Sequence, residues 1–205
     1  MVFLLSLGSI SLLYFSSNFM SASLLLLTIC FYFFIYTVWL KRRTPQNIVI
    51  GGAAGALPPV IGWTIATGSL SIEPLILFLI IFLWTPSHFW ALSIYKSNDY
   101  KKAKIPMLPI ICGIDKTKKN IFIYSLLMLP TISAPYLISF LSEIYFYPAL
   151  ALTIYYVFLC GSLLKVKKSK EINNLARKIF LYSIFYLFVI FLLILFDHFF
   201  TRLYG

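Results

Sequence analysis

The sequence predicts an all-α fold, a polytopic transmembrane helical bundle of about seven spans. The first observation is composition: 61% of the 205 residues are hydrophobic and 11% are charged, which leaves too little polar surface to cover a soluble domain. The second is segmentation, because long apolar stretches alternate with short polar connections. The third is charge, since nearly all basic residues fall in every second connection.

Seven apolar segments are long enough, or nearly long enough, to cross a bilayer, which takes about 20 helical residues. They are residues 1–17, 22–40, 47–67, 73–95, 119–141, 145–164 and 177–199. The first is the weakest, because Met1 runs directly into Val2 and Phe3 without a preceding Lys or Arg. It also lacks the basic region and cleavage site of a signal peptide. We treat residues 1–205 as a single transmembrane domain.

The basic residues predict the orientation of these spans. All Lys and Arg residues except Arg202 lie in the connections at 41–43, 96–119 and 165–178, whereas the intervening connections carry only Glu73 and Glu143. The positive-inside rule then places the three basic loops and Met1 in the cytoplasm and the C-terminus outside. Compact loops without a transit peptide favour a bacterial inner membrane.

The net charge of +11 could indicate nucleic-acid binding, but no soluble basic domain exists to hold a duplex. The three cysteines have neither metal-binding nor redox spacing, and we assign them no function.

The third span contains two features of close helix packing. Gly51 and Gly55 form a GxxxG pattern, which lets another helix approach closely. Pro58 and Pro59 remove backbone hydrogen bonds, which is consistent with a kink beside a cavity. The alternative interpretation of this stretch is close helix packing alone. In the fourth span, Pro86 predicts a similar break two residues before His88.

The stretch from 84 to 109 is the strongest candidate site. Asp99 lies among lysines rather than among further acids. It is either a solvated ion-pair partner of its neighbours or a ligand for Mg²⁺ bridging to a diphosphate, with Lys101 and Lys104 neutralising the remaining phosphate charge. A helix continuing from His88 to Asp99 would hold both on nearly one face, about 16 Å apart.

Two further sets of residues have both a structural and a functional interpretation. Lys41, Arg42 and Arg43, followed by Asn47, either anchor a cytoplasmic boundary or bind diphosphate. His88 is either a neutral packing residue or a contact to a porphyrin or a proton-transfer group.

Three stretches carry a resemblance to a known family. They read YTVWLKRRTPQNIVIGGAAGALPPVIGW at 36–63, LWTPSHFWALSIYKSNDYKKAKIPMLP at 83–109 and ARKIFLYSIFYLF at 176–188. Together they resemble the UbiA-type membrane prenyltransferases, in the branch that farnesylates haem, over essentially the whole chain. The resemblance implies a helical bundle, normally of nine spans, around a cavity open to the cytoplasm. It also implies Mg²⁺-assisted transfer of farnesyl from farnesyl diphosphate to a vinyl group of haem b.

Residue by residue, Asp99 and Tyr100 match the second aspartate motif of that family and are the catalytic candidates, with Asp99 as the metal ligand. The preceding residue, often Asp in the family, is Asn98 here. The basic loop and the histidine of the PxHFWAL stretch match as substrate-binding residues. These substrate-binding candidates are Lys41, Arg42, Arg43, Asn47, His88, Lys101 and Lys104.

The family's first aspartate motif, Asn-xxx-Asp-xxx-Asp, has no counterpart in the sequence, so we expect a chain that begins near the family's third span. Alternative functions are an inactive fragment of such an enzyme, a membrane transporter, and a binding or assembly subunit. An association with later haem-modifying or oxidase-assembly proteins is also open.

Overall fold

A computed structural model describes residues 2–204, which are helical with short connections and contain no β-strand. The predicted all-α class is therefore confirmed. The contacts divide the chain into two compact units, Met1–Phe82 and Leu83–Gly205. Helix α5 contributes to both units, and the single-domain organisation stays a prediction.

The first unit contains four α-helices, one π-helix and the first part of α5. These elements are α1 (Val2–Ser16), α2 (Phe19–Cys30), the π-helix (Phe31–Leu40), α3 (Asn47–Ala56), α4 (Pro58–Thr67) and α5 (Ile72–Tyr95). The second unit contains the remainder of α5 and five further helices. These are α6 (Ser97–Lys102), α7 (Leu108–Ile111), α8 (Ile114–Leu137), α9 (Glu143–Lys165) and α10 (Ser169–Tyr204).

Six segments of the described chain are helical, long and apolar enough to cross a membrane. They are Phe19–Leu40, Asn47–Thr67, Ile72–Tyr95, Ile114–Leu137, Glu143–Lys165 and Ser169–Thr201. The predicted first span corresponds to α1, whose 15 residues rise about 22 Å at 1.5 Å per residue and so fall short of the hydrocarbon core.

In the first unit, α2 packs on α1 and α4, and the π-helix, which continues directly from α2, packs on α3. The Asn18 side chain caps α2 by accepting a hydrogen bond from Ser21 N, and its Nδ2 donates to Thr64 O at 2.8 Å. This hydrogen bond fixes the start of α2 against α4.

The predicted GxxxG contact forms at only one of its two glycines. A Cβ built on Gly51 would overlap the ring of Tyr36 in the π-helix, with Cγ of that ring at 3.0 Å. A Cβ on Gly55 would meet no atom within 4 Å. Close packing of α3 on the π-helix therefore depends on Gly51.

The prolines have different effects in the two spans. The third span breaks at Leu57, between α3 and the first turn of α4, and an apolar cavity of about 850 Å³ is lined in part by Ala54 and Gly55. Leu57 itself keeps helical dihedral angles, φ −76° and ψ −22°, so the break is in the hydrogen-bonding pattern, and a kink at this point stays a prediction.

The break predicted at Pro86 is wrong, because α5 is continuous from Ile72 to Tyr95. Trp84 and His88, on either side of this proline, both bond to Ser183 of α10, and these contacts hold the helix through the missing hydrogen bond.

In the second unit, α9 packs between α8 and α10. Pairs of buried hydroxyl groups connect α9 to its neighbours. Tyr156 Oη lies 2.8 Å from Ser87 Oγ on α5, and Thr153 Oγ1 lies 2.9 Å from Tyr186 Oη on α10. The buried carboxylate of Asp197 accepts hydrogen bonds from the N-terminus of α9, including Tyr145 N at 3.1 Å. An anion here satisfies amides that lack partners within α9 and also interacts favourably with the helix dipole.

Candidate active site

The Asp99 segment follows directly from α5 but is not a continuation of it. Helix α5 ends at Tyr95, Lys96 leaves helical geometry at φ −104° and ψ 27°, and α6 starts at Ser97. A helix that continues from His88 to Asp99 and holds both on one face is therefore not formed. The new turn places Asp99 in the first turn of a short helix at the end of the span.

The Asp99 carboxylate is accessible and only loosely paired. Its side chain is 65% exposed, and Oδ2 lies 3.5 Å from Lys96 Nζ. Lys101, Lys102 and Lys104 are exposed around the same short helix. A solvated pair of this kind contributes little to stability, so both partners are available to an incoming charged ligand.

Lys104 has a backbone conformation that is unfavourable for its residue type. Its φ is +54°, and the amides of Lys104 and Ile105 donate to the carbonyls of Lys101 and Tyr100, each at 3.1 Å. This is the Schellman arrangement that ends many helices, and glycine usually occupies the left-handed position. A lysine here therefore places a positively charged residue at the end of the Asp99 helix at a conformational cost.

Tyr100 is half-buried beside Asp99. Burial first, and the nearby Asp99 charge second, raise the pKa of its phenol above the ordinary value. The phenol therefore stays protonated near neutral pH and can act as a hydrogen-bond donor, not as a base.

The basic turn of the first unit is fastened by Asn47. Its Nδ2 donates to Lys41 O at 3.0 Å, and its buried Oδ1 has no hydrogen-bond partner among the described residues. Arg42 and Arg43 are exposed. The turn therefore presents two guanidinium groups from a backbone that a buried amide holds in place.

His88 lies inside the second unit with its ring enclosed by aromatic side chains. It is 7% exposed, and its ring stacks on Trp84 with centroids 4.2 Å apart. Nδ1 lies 2.6 Å from Ser183 Oγ on α10. The structure brings His88 together with α10, a contact that no local sequence pattern predicts.

A second residue of α10, Arg177, lies over the ring of Tyr95 with its guanidinium carbon 5.7 Å from the ring centroid. Lys96 Nζ is 5.3 Å from the same centroid. The sequence patterns do not single out Arg177 or Ser183. Both do lie in the third stretch of family resemblance, 176–188, which was the available signal.

The family profile described as the UbiA prenyltransferase family matches residues 1–185. The chain belongs to this family. UbiA relatives named protoheme IX farnesyltransferase are similar over most of it. The relative from Pelagibacter ubique strain HTCC1062 is 63% identical over 193 residues, which cover 94% of this chain and 64% of that protein.

Two further UbiA relatives with the same name have lower identity. One, from Ehrlichia ruminantium strain Gardel, is 50% identical over 95% of this chain and 65% of its own length. The other, from Parvibaculum lavamentivorans, is 49% identical over 87% of this chain and 56% of its own length. The chain thus spans less than two thirds of the length of these relatives. No solved structure matches it significantly.

The residues of this UbiA chain fit one of the two ways in which proteins bind Mg²⁺. No group of three or more His, Cys, Asp and Glu side chains that could hold a metal occurs within residues 2–204. A closed protein site is therefore not formed by this part of the chain. Asp99 does fit the other mode of Mg²⁺ binding, in which one or two carboxylates share the ion with substrate phosphates and water, because its carboxylate is mostly exposed.

Proposed function

We propose that this chain carries the diphosphate-binding half of a membrane prenyltransferase site that transfers farnesyl from farnesyl diphosphate to haem b. The observation that carries the proposal is the exposed Asp99 surrounded by lysines at the end of α5, in a UbiA chain. The names of its relatives supply the two reactants, a farnesyl donor and protoheme IX as acceptor.

Asp99 would hold Mg²⁺ together with the diphosphate. When bound, the ion supplies positive charge that stabilises the leaving diphosphate. Lys101 and Lys104 would contact the remaining phosphate oxygens, and the protonated phenol of Tyr100 would donate a hydrogen bond to the same group. Fixed cations and donors of this kind stabilise developing negative charge without reorganising during the reaction.

In the proposed reaction, the bond between farnesyl C1 and the diphosphate oxygen breaks, and its electron pair leaves with the diphosphate. The vinyl group of haem b supplies the electron pair of the new carbon–carbon bond. Water then adds to the resulting cation and loses a proton, which gives a hydroxyethylfarnesyl substituent. The overall change is a substitution plus hydration, and it needs no oxidant or reductant.

The charge distribution supports an orientation with this site on the cytoplasmic side of a bacterial inner membrane and the C-terminus outside. Contacts of Lys41, Arg42, Arg43 and Asn47 with the same diphosphate stay a prediction, as does association with later haem-modifying proteins. Family membership argues against the transporter alternative, because the matched family consists of prenyltransferases.

The test is a transfer assay. Membranes containing the 205-residue chain are incubated with labelled farnesyl diphosphate, haem b and Mg²⁺, and extracted porphyrins are separated and weighed by mass spectrometry. We expect a labelled porphyrin with the mass of haem plus farnesyl plus hydroxyl. Label transferred to an acceptor other than haem would overturn the assignment of haem b, and the absence of any transferred label would support an inactive fragment.

A further inference from the structure

The hydrogen bonds around Ser183 favour one position for the proton of His88. Ser183 Oγ lies 2.6 Å from Phe180 O, an acceptor only, and 2.6 Å from His88 Nδ1. A hydroxyl has one hydrogen, so when Oγ donates it to Phe180 O, Oγ accepts from His88 and Nδ1 is the N–H donor. In the neutral ring, which an apolar environment favours, Nε2 then keeps a free lone pair.

The imidazole is also held in one orientation. Trp84 stacks on one side, and the Phe180 ring lies 4.8 Å away, centroid to centroid. The indole Nε1 of Trp84 donates to Ser183 O at 2.9 Å, so Ser183 bonds to both rings. Rotation of His88 would break the contact with Ser183 Oγ, and this restraint presets the direction of the lone pair.

His88 and Trp84 form one wall of a pocket of about 440 Å³. All other lining residues are aliphatic or phenylalanine side chains of α10, between Ile184 and Leu195. Nε2 makes no hydrogen bond with a described residue. The pocket thus combines an apolar wall with one nitrogen lone pair, which suits a flat apolar ligand that carries a metal.

We propose that His88 Nε2 binds the iron of haem b in this pocket and that Ser183 is the positioning residue that presents Nε2. The proposal rests on the proposed function, in which haem b is the acceptor. Neutral imidazole nitrogen is a common iron ligand, and a hydrogen bond from its other ring nitrogen ordinarily fixes the ring for metal binding.

The same two helices supply a cation at one end of the pocket. Tyr95 follows His88 by seven residues on α5, about 10.5 Å along the axis, and lies beneath the Arg177 guanidinium. Arg177 precedes Ser183 by six residues on α10. Arg177 therefore lies at the diphosphate end of α5, and the vinyl edge of haem b, which is opposite its two propionates, would face this end to meet farnesyl C1.

The experiment compares two porphyrins on the 205-residue chain in detergent micelles: haem b and metal-free protoporphyrin IX. Histidine ligation is detected by the Soret shift and the electron paramagnetic resonance of the iron. We expect His88→Ala to remove the ligation signature and weaken haem binding at least tenfold, with less than a twofold change for the metal-free ring.

We expect Ser183→Ala to weaken haem binding about tenfold, the effect usual for the hydrogen-bond partner of a metal ligand, and Ser183→Thr to restore it. Ser162→Ala is the matched control, because Ser162 Oγ also donates to its own helix, at Phe158 O, but bonds to no imidazole.

Four outcomes would overturn the proposal. Haem spectra unchanged in His88→Ala would refute iron ligation and leave the proposed transferase intact. Equal weakening of both porphyrins by Ser183→Ala would assign that serine a structural role only. No histidine signature in the unmodified chain would refute the ligand assignment even if the His88 variant fails to fold. Binding of neither porphyrin, with farnesyl diphosphate still bound, would refute haem b as acceptor as well.

Discussion

Replacing Asp99 by Asn tests whether this carboxylate binds a bridging metal ion or only forms a surface ion pair. The chain contains a matched control for the ion pair. Asp99 pairs with Lys96 at 3.5 Å, three residues before it, with side chains 65% and 49% exposed. Glu171 pairs with Lys168 at the same distance and spacing, with side chains 55% and 83% exposed. Asp99→Asn and Glu171→Gln therefore remove comparable ion pairs.

The two substitutions should have similar small effects on the free energy of unfolding but different effects on the affinity for farnesyl diphosphate. Exposed ion pairs of this kind contribute about 0–1 kcal/mol to stability. The free energy of unfolding of each variant should therefore lie within about 1 kcal/mol of the value for the unmodified chain. A bond to a charged group contributes about 1.5–3 kcal/mol, and each 1.4 kcal/mol is a factor of ten in affinity. With Mg²⁺ present, Asp99→Asn should therefore weaken farnesyl diphosphate binding about 10- to 100-fold, and Glu171→Gln should not.

The direction in which Asp99→Asn changes the affinity for farnesyl diphosphate should depend on whether Mg²⁺ is present. Without Mg²⁺, the Asp99 carboxylate repels the diphosphate, so Asp99→Asn should bind it as well as or better than the unmodified chain. The assay is equilibrium binding of labelled farnesyl diphosphate to the chain in micelles, with Mg²⁺ or with a chelator, alongside thermal unfolding. Equal affinities for the unmodified chain and both variants in Mg²⁺ would remove Asp99 from the site, and weakening of Asp99→Asn under both conditions would refute the bridging ion.

Three further predictions concern the scaffold. Gly51→Ala should destabilise the chain by about 1–3 kcal/mol relative to Gly55→Ala, because only the first methyl overlaps the ring of Tyr36; equal thermal unfolding of the two variants would contradict this contact. Asp197→Ala should cost about 1–3 kcal/mol in unfolding free energy, since it leaves the buried Tyr145 N and the half-buried N and Oγ of Ser142 without this acceptor; an unchanged unfolding midpoint would show that water replaces the carboxylate. Lys104→Gly should stabilise the chain by about 1 kcal/mol, because glycine adopts positive φ freely, and should weaken farnesyl diphosphate binding; a destabilised variant with unchanged binding would refute both parts.

Local sequence pattern predicted the elements that depend on local physics. Apolar length identified the segments that became α5, α8 and α9, and Pro58 with Pro59 marked the break between α3 and α4. The π-helix was not predictable, because the stretch FYFFIYTVWL is apolar throughout and has no periodicity that distinguishes it from an α-helix.

The candidate site was predictable only where its residues are neighbours in sequence. Asp99, Tyr100 and the flanking lysines lie within a few residues of one another, so charge and spacing reveal them. The contact between His88 and Ser183 joins residues 95 positions apart, and that between Ser142 and Asp197 joins residues 55 positions apart. Such pairings follow from the packing of whole helices. Pro86 shows the same effect, because contacts with α10 hold α5 continuous where the local rule predicts a break.

The most direct measurement of where the diphosphate binds is lysine protection. The chain in micelles is acetylated briefly with and without farnesyl diphosphate and Mg²⁺, and modification is read for each lysine by mass spectrometry. The loop at Lys101, Lys102 and Lys104 and the connection at Lys167 and Lys168 are all exposed, so the second set is an internal control. Protection of the lysines around Asp99 without protection of Lys167 and Lys168 is the predicted result. Equal protection of both sets, or protection of the second set alone, would contradict a diphosphate site at the end of α5.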